Sequence, residues 1–190
     1  MEFAQFKDKL TNLVGDLNYF GTEFLTEDEF KDFANSLCDK VGCYDQICIT
    51  GYFSENIRKE LEKLAKRNSH VRLICQEFPE KPDSRDKKNL QTLQELANSG
   101  VKIKMNIRLH ARFLVAYSSQ LARERDGNEW MNGQLLIGSF DFNKDCIGLE
   151  RHDAGILTKY PDLVKAAVKF FDQIWNETGS VDLPKRNAQP

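Results

Sequence analysis

Between residues 46 and 107 the chain alternates between two kinds of apolar spacing, and few folds accept that pattern. Gln46-Ile-Cys-Ile-Thr50 is a short apolar run closed by Gly51. Ile57, Leu61, Leu64 and Ala65 then recur at helical spacing behind Ser54, a capping residue type. That stretch ends in Lys66-Arg67-Asn68, whose charge suits a helix C-terminus. Val71-Arg-Leu-Ile-Cys75 is a second strand, and a polar loop with Pro79 and Pro82 follows it. The spacing predicts a helix around 86–98, stopped by Gly100. From Val101 the pattern alternates strictly, with Val101, Ile103, Met105 and Ile107 on one face and Lys102, Lys104 and Asn106 on the other. Strand, helix, strand, helix, strand predicts a parallel or mixed sheet with covering helices.

The flanks read differently. Phe3, Phe6, Leu10, Leu13 and Leu17 suggest an amphipathic helix. Thr26-x-x-Glu29 has capping-box form, with Leu25 and Phe30 placed as a hydrophobic staple. One helix is expected behind it, carrying Phe30, Phe33, Ala34, Leu37 and Val41 up to Gly42. Beyond the alternating core, strands are expected at 113–117, 134–137 and 153–157. The last helix begins at Pro161, a favoured first-turn residue, and carries Val164, Ala167, Val168, Phe171 and Trp175. The division expected is a helical extension at 1–42, a body at 43–178 and a polar tail at 179–190, a span suited to one compact domain.

Composition removes several alternatives. Hydrophobic residues make up 41%, with thirteen Phe and two Trp, so wholesale disorder is excluded. No stretch approaches the roughly 18 to 20 apolar residues of a membrane span. The start, Met-Glu-Phe-Ala-Gln-Phe-Lys-Asp, has neither the basic nor the apolar region of a signal peptide, which makes the cytoplasm the expected address. Net charge is −2, but residues 1–30 hold two basic and seven acidic side chains, leaving the rest at +3. A mildly basic body is compatible with a phosphate-bearing ligand. The five cysteines, at 38, 43, 48, 75 and 146, form no Cys-x-x-Cys pair and have no His at zinc-ligand spacing. They read as small buried hydrophobes of a reducing compartment, and no metal or cofactor is expected.

Three histidines are present. His70 opens a strand after a basic helix end and reads as a surface or structural residue. His110 stands in Leu109-His-Ala-Arg-Phe-Leu-Val-Ala-Tyr117, read as extended, where a period of two puts His110 and Arg112 on one face. A proton carrier or nucleophile beside a fixed cation is what a phosphate ester requires. Leu135-Leu-Ile-Gly-Ser-Phe-Asp-Phe-Asn143 is a strand running into a turn. There Gly138 admits close backbone approach to a ligand, and Ser139 and Asn143 offer hydroxyl and amide donors. Asp153 begins a further strand, and a carboxylate that accepts from one imidazole nitrogen raises the basicity of the other. Between the halves, 118–133 is read as a loop too long for an ordinary hairpin. Either Arg123, Arg125 and Trp130 clamp phosphates and stack a base, or the loop is solvated with Trp130 against the body.

Together these segments resemble the phospholipase D superfamily, whose pattern is His-x-Lys, four residues and Asp, then Gly-Ser-x-Asn, then a later acidic residue. The resemblance spans about residues 44–177 and includes the Ile49-Thr-Gly-Tyr-Phe-Ser54 run, Tyr160-Pro-Asp-Leu163 and Phe170-Phe-Asp-Gln-Ile-Trp175. It implies an α/β/α sandwich around a mixed sheet, with His110 as nucleophile, Ser139 on the phosphate and Asp153 behind the histidine. The chain departs from the pattern in Arg112 for Lys, Tyr117 for Asp and Asp141 for Asn. Arg112 keeps the charge in a bulkier form. An ionised Asp141 repels a phosphate unless it pairs with Arg112 or holds a proton, and Asn143 is placed to replace the lost amide.

The family's complete site uses two histidine motifs, and this chain has one, because neither His70 nor His152 has the flanking pattern. The resemblance therefore implies a homodimer with His110 facing His110. The function expected is a metal-independent phosphodiesterase, a nuclease acting through a phosphohistidine, with nucleic acid favoured over lipid because no apolar helix with a basic face is evident. The rival is a catalytically degenerate module of the same fold, binding nucleic acid, an anion or a partner protein, or serving as accessory subunit of a DNA defence or repair system. Asp141 is the feature that favours the rival.

Overall fold

Strand β2, Gln46–Thr50, is buried from Ile47 to Thr50. An apolar run without alternation is what a strand covered on both faces requires. The computed structural model describes residues 21–51, 53, 55–67, 69–79, 81–123, 129–139 and 154–183. In it β2 pairs in parallel with β3, His70–Cys75, which pairs in parallel with β4, Lys102–Asn106. On its other side β2 meets β5, Phe113–Arg123, antiparallel. The sheet continues antiparallel through β6, Glu129–Gly138, and β7, Ala154–Thr158, to β1, Glu23–Thr26, while β8, Ser180–Asp182, closes the opposite edge on β4. The order is β1-β7-β6-β5-β2-β3-β4-β8.

Two apolar layers sandwich this mixed sheet. On one face α1 (Glu27–Asn35), α2 (Leu37–Val41), α3 (Glu55–Lys66) and α4 (Ser84–Asn98) bury Phe33, Leu37, Leu61, Leu64 and Leu96 against Ile47, Ile49, Leu73 and Leu136. On the other, α5 (Pro161–Asn176) buries Val164, Val168 and Phe171 against Cys48, Ile74, Val115 and Leu135. The expected α/β/α sandwich is therefore the observed one.

Several expectations at the edges are corrected. The single helix expected up to Gly42 is two, broken at Ser36, whose hydroxyl donates to the Asp32 carbonyl at 2.6 Å and competes with continuation of the helix. The capping box at its start holds, with the Thr26 amide on Glu29 at 2.7 Å. The helix expected from 86 starts earlier, because the Asp83 carboxylate accepts from the Asp86 amide at 2.8 Å. The stretch 118–133, read as a loop, is largely strand: β5 runs on to Arg123 across a register shift after Tyr117, and β6 starts at Glu129. Trp130 and Arg123 stand in its two arms, paired with Ala122 and Glu129, while Arg125 lies outside the described residues. Residues 180–182, read as tail, form β8, and 23–26 add edge strand β1. The helix expected over Phe3 to Leu17 falls outside the described residues.

Candidate functional site

Five strands end or begin at one end of the sheet, and this convergence assembles the site. Strand β2 ends at Thr50 and β3 at Cys75, with Gln76 following; β5 begins at Phe113, β6 ends at Gly138 and β7 begins at Ala154. From β2 the chain lays β3 and β4 outward on one side and then returns to place β5 on the other. A crevice outside the carboxyl ends of strands at such a reversal is the favoured ligand position in open α/β sheets.

His110 reaches this crevice from a turn rather than from a strand. The alternation that put His110 and Arg112 on one strand face does not operate, because β5 begins only at Phe113. The turn is held from below by Asn106, which is almost fully buried. Its amide nitrogen donates to Ser180 Oγ at 2.9 Å, its Oδ1 accepts from the Arg108 amide at 2.8 Å, and its carbonyl accepts from the Leu109 amide at 3.2 Å. Leu109 is buried and anchors the turn, and His110 emerges exposed beside it. The Phe113 amide then donates to buried Thr50 Oγ1 at 3.1 Å, which fixes where the strand starts. His110 and Arg112 do share a surface: with Gly51, Gln76, Leu109 and Ala111 they line a cleft of about 30 Å³.

The second segment meets the first through hydrogen bonds. The Gly138 amide donates to the Arg112 carbonyl at 3.3 Å, and Arg112 Nη1 donates to the Ser139 carbonyl at 3.0 Å. Ser139 also closes the strand pair β6–β7, its amide donating to the Ala154 carbonyl at 3.1 Å and its Oγ accepting from the Ala154 amide at 3.2 Å. His110, Arg112, Gly138 and Ser139 thus belong to one end of the sheet. Asp141, Asn143 and Asp153 lie outside the described residues, as does His152. Gly51 and Gln76 were not singled out from the sequence. The available signal was their position one residue past the ends of two adjacent parallel strands. Gly51 has φ 142°, a conformation open to glycine alone at no steric cost.

Tyr117, where the resemblance has Asp, stands apart from this end. It pairs with Gln46 at the far end of β2, about 13 Å along β5 from Phe113 at roughly 3.3 Å per residue. Its buried hydroxyl accepts from Arg72 Nη2 at 3.3 Å, and Arg72 Nη1 donates to Asp172 Oδ1 at 2.8 Å. The Arg72 guanidinium also lies over the Phe171 ring, 4.9 Å from its centroid. Burial pushes the Tyr117 phenol up from its ordinary value. This is a packing device that ties β3 and β5 to α5. His70, at the first position of β3, is likewise remote from the crevice. Of the cysteines, Cys38, Cys48 and Cys75 are buried and Cys43 is exposed, while Cys146 lies outside the described residues. Among the described residues no three His, Cys, Asp or Glu side chains cluster at metal-binding distance, and no helix is long and apolar enough to cross a membrane.

Comparison with known proteins follows the same lines. The family described as "Cardiolipin synthase, PLD-like domain" matches residues 43–175. Among solved structures, the phospholipase D family member Nuc from Salmonella typhimurium superposes with a TM-score of 0.63 at 15% identity, covering 87% of this chain and 99% of that one. NucT from Helicobacter pylori gives 0.56 at 13% identity, over 85% of this chain and 98% of that one. Phosphatidylserine synthase from Haemophilus influenzae gives 0.62 at 15% identity, over 95% of this chain and 44% of that one. No curated protein matches the chain in sequence.

Proposed function

Because the chain belongs to the phospholipase D-like family, we propose that it is a cytoplasmic, metal-independent phosphodiesterase, a nuclease that works through a phosphohistidine in a site shared by two copies of the chain. The observation that carries this reading is the meeting of His110, Arg112 and Ser139 at the carboxyl end of β2, from segments 27 residues apart and joined by the Arg112–Ser139 hydrogen bond. The chain covers nearly the whole length of Nuc and of NucT, so the likeness takes in their entire folded domain.

In the reaction proposed, an imidazole nitrogen of one His110 attacks phosphorus and forms a P–N bond while the P–O bond to the leaving alcohol breaks. The other His110, protonated, gives its proton to that oxygen. Water then attacks phosphorus, surrenders a proton to the second His110, and the P–N bond breaks. Arg112, Ser139 and Asn143 stabilise charge on the non-bridging oxygens. Asp153 holds the imidazole tautomer.

The test is hydrolysis of bis(p-nitrophenyl) phosphate and of single- and double-stranded DNA by purified protein in EDTA, beside His110→Ala. Turnover in EDTA that vanishes in the variant, with thermal unfolding unchanged, is the expected result. Turnover retained by His110→Ala overturns the assignment. The second reading, a degenerate module of the same fold, is favoured by Asp141 in place of the amide. Asp141→Asn then tightens binding of a phosphate analogue, by about 1 kcal/mol or more, the scale of one like-charge contact relieved near a surface. Weaker binding in that variant overturns this account of the turn.

A further inference from the structure

Strands β3 and β4 place like charges side by side. Arg72 and Lys102 are partners in the parallel register, and His70 is the partner of Gln46 on β2. Paired residues share a sheet face, as do residues two apart on a strand. His70, Arg72 and Lys102 therefore all stand on the α5 side, with Cys48 and Ile74. Neighbouring strands lie about 4.8 Å apart, and two cations at that spacing destabilise each other. Helix α5 answers only part of this. Asp172 accepts from Arg72 Nη1 at 2.8 Å, and Arg72 Nη2 donates to Tyr117 and to Cys48 Sγ. Lys104, two residues along β4, also has a task, since its Nζ donates to the Trp175 carbonyl at 2.8 Å near the end of α5. Lys102 and His70 are exposed, and their side chains make no hydrogen bond or ion pair among the described residues.

These three basic side chains line one cavity of about 410 Å³ together with Gln46, Gly100 and Asp172. That volume falls in the range of small-ligand sites, roughly 300–1,000 Å³. We propose that the cavity binds a small phosphate-bearing ligand, its oxygens held between Arg72, Lys102 and His70. A guanidinium carries five N–H groups, and three of those on Arg72 are engaged, so donors remain on it. Lys102 adds a mobile ammonium and His70 an imidazole.

Charge selects the class of ligand. An anion between Arg72 and Lys102 replaces a like-charge contact with two charge-assisted pairs. Asp172 lines the same cavity and opposes it. A phosphate group, with charge near −2 and several acceptor oxygens, overcomes one carboxylate, whereas a monoanion such as chloride does not. A single concavity suits a small molecule better than a nucleic-acid strand, which needs a track of cations along its backbone. The cavity is also separate from the crevice. His70 sits at the opposite end of β3 from Gln76, six residues away, or about 20 Å at roughly 3.3 Å per residue. The proposal therefore stands whether or not His110 is catalytic.

The experiment titrates pyrophosphate into Arg112→Ala, in which the crevice has lost its cation, by calorimetry at low salt and by backbone amide chemical shifts. The expected result is one site that moves the Val71 and Gly100 resonances. Lys102→Gln added to that background weakens it about tenfold, and His70→Gln/Lys102→Gln about a hundredfold. Both side chains are exposed, so these variants melt at or slightly above the parent, the like-charge contact being gone. Lys59→Gln makes the same charge change on α3, across the sheet, and leaves the affinity as it was. Should Arg112→Ala not fold, the same resonances are followed in wild type. Equal weakening by Lys59→Gln and Lys102→Gln shows a general charge effect and overturns the site. So does pyrophosphate that moves neither Val71 nor Gly100. Single-stranded DNA that shifts those resonances where pyrophosphate does not overturns the small ligand.

Discussion

Arg112 Nη1 donates to the Ser139 carbonyl at 3.0 Å, and this bond joins the two segments that carry the chain's candidate chemistry. A guanidinium can hold a backbone oxygen and present further N–H groups to a phosphate at the same time, because its donors form a planar fork. A lysine at this position brings a point charge with no such fork. Arg112→Ala is expected to lower kcat on a phosphodiester by about 10²–10³, the usual loss for one charge-stabilising donor. Arg112→Lys keeps the charge and is expected to retain most of that rate. Equal loss in both variants would show that the bond to Ser139, rather than the charge, is what the site needs.

At the far end of the sheet, Asp172 is expected to matter for stability and not for turnover. Its carboxylate receives the Arg72 guanidinium at 2.8 Å, with side-chain exposures of 43% and 18% respectively. The same guanidinium also bonds Tyr117 and Cys48 Sγ. Asp172→Ala leaves a half-buried cation with weaker partners. Solvent reaches the carboxylate, so the cost is set at about 1–2 kcal/mol, below that of a fully buried pair. Urea unfolding measures it. An unchanged midpoint would mean that Tyr117 and the aromatic rings hold Arg72 unaided.

The central strands were legible because their patterns are extreme. Ile47 to Ile49 is apolar without interruption, and an apolar run of that length between turn residues has few readings other than a strand covered on both faces. Gln46–Thr50 accordingly appears with the expected bounds, and α5 starts at Pro161 as expected. The edge strands were not legible. Glu23–Thr26 and Ser180–Asp182 are four and three residues long, and each shows one buried position. Too few residues remain for a period of two to register, and their backbone pairing comes from neighbours distant in sequence. The β5–β6 arms were hidden for another reason. Leu121 and Met131 are paired strand residues, but the register shift after Tyr117 breaks the alternation that would have announced them.

The candidate site divides in the same way. His110 and Arg112 were visible as residue types at close spacing, and they do line one cleft. What places them there is a turn held by Asn106 through Ser180, 74 residues away in sequence, and local periodicity carries no trace of such a contact. Gln76 belongs to no sequence motif, being a lone amide after a strand. Its position becomes informative only once β2 and β3 are known to be adjacent and parallel.

Gly133 is a second place where the body tolerates little change. It pairs with Tyr117 beneath α5, and a methyl group there would stand 2.5 Å from the Ala116 carbonyl oxygen, 2.8 Å from Tyr117 Cβ and 2.9 Å from Val164 Cγ1. Val164 can shift by a few tenths of an ångström, but the Ala116 carbonyl belongs to the sheet and cannot. Gly133→Ala is therefore expected to destabilise by about 1–3 kcal/mol through overpacking. For a chain of this size that lowers Tm by roughly 2–4 °C per kcal/mol. An unshifted Tm would show that α5 lifts from β6 without cost.

The buried thiols make the protein's stability fall in alkali. Burial pushes the Cys48 thiol up to about 12, against a lesser downward pull from Arg72, and burial does the same to Cys75, also to about 12. In the unfolded chain a thiol loses its proton near pH 8.5. Below that pH both states hold the proton, and the preference of the folded state for the neutral thiol is present in full. Between there and about 12 the unfolded chain gives up protons that the folded chain keeps. The unfolded state then binds fewer protons, and the free energy of unfolding falls as pH rises. Lysines and tyrosines titrate over the same range, so the total slope is not specific. The difference in slope between wild type and Cys48→Ala/Cys75→Ala isolates the thiols. Urea midpoints between pH 7 and 10.5, measured under reductant, are expected to fall more steeply for wild type than for the double variant, whatever constant cost the lost side-chain volume adds. Thiol labelling at pH 8 gives an independent check: exposed Cys43 reacts at once, and Cys38, Cys48 and Cys75 wait for unfolding. Parallel slopes, or labelling of Cys48 in the native protein, would show that water reaches the buried thiols and that they are not held neutral by burial.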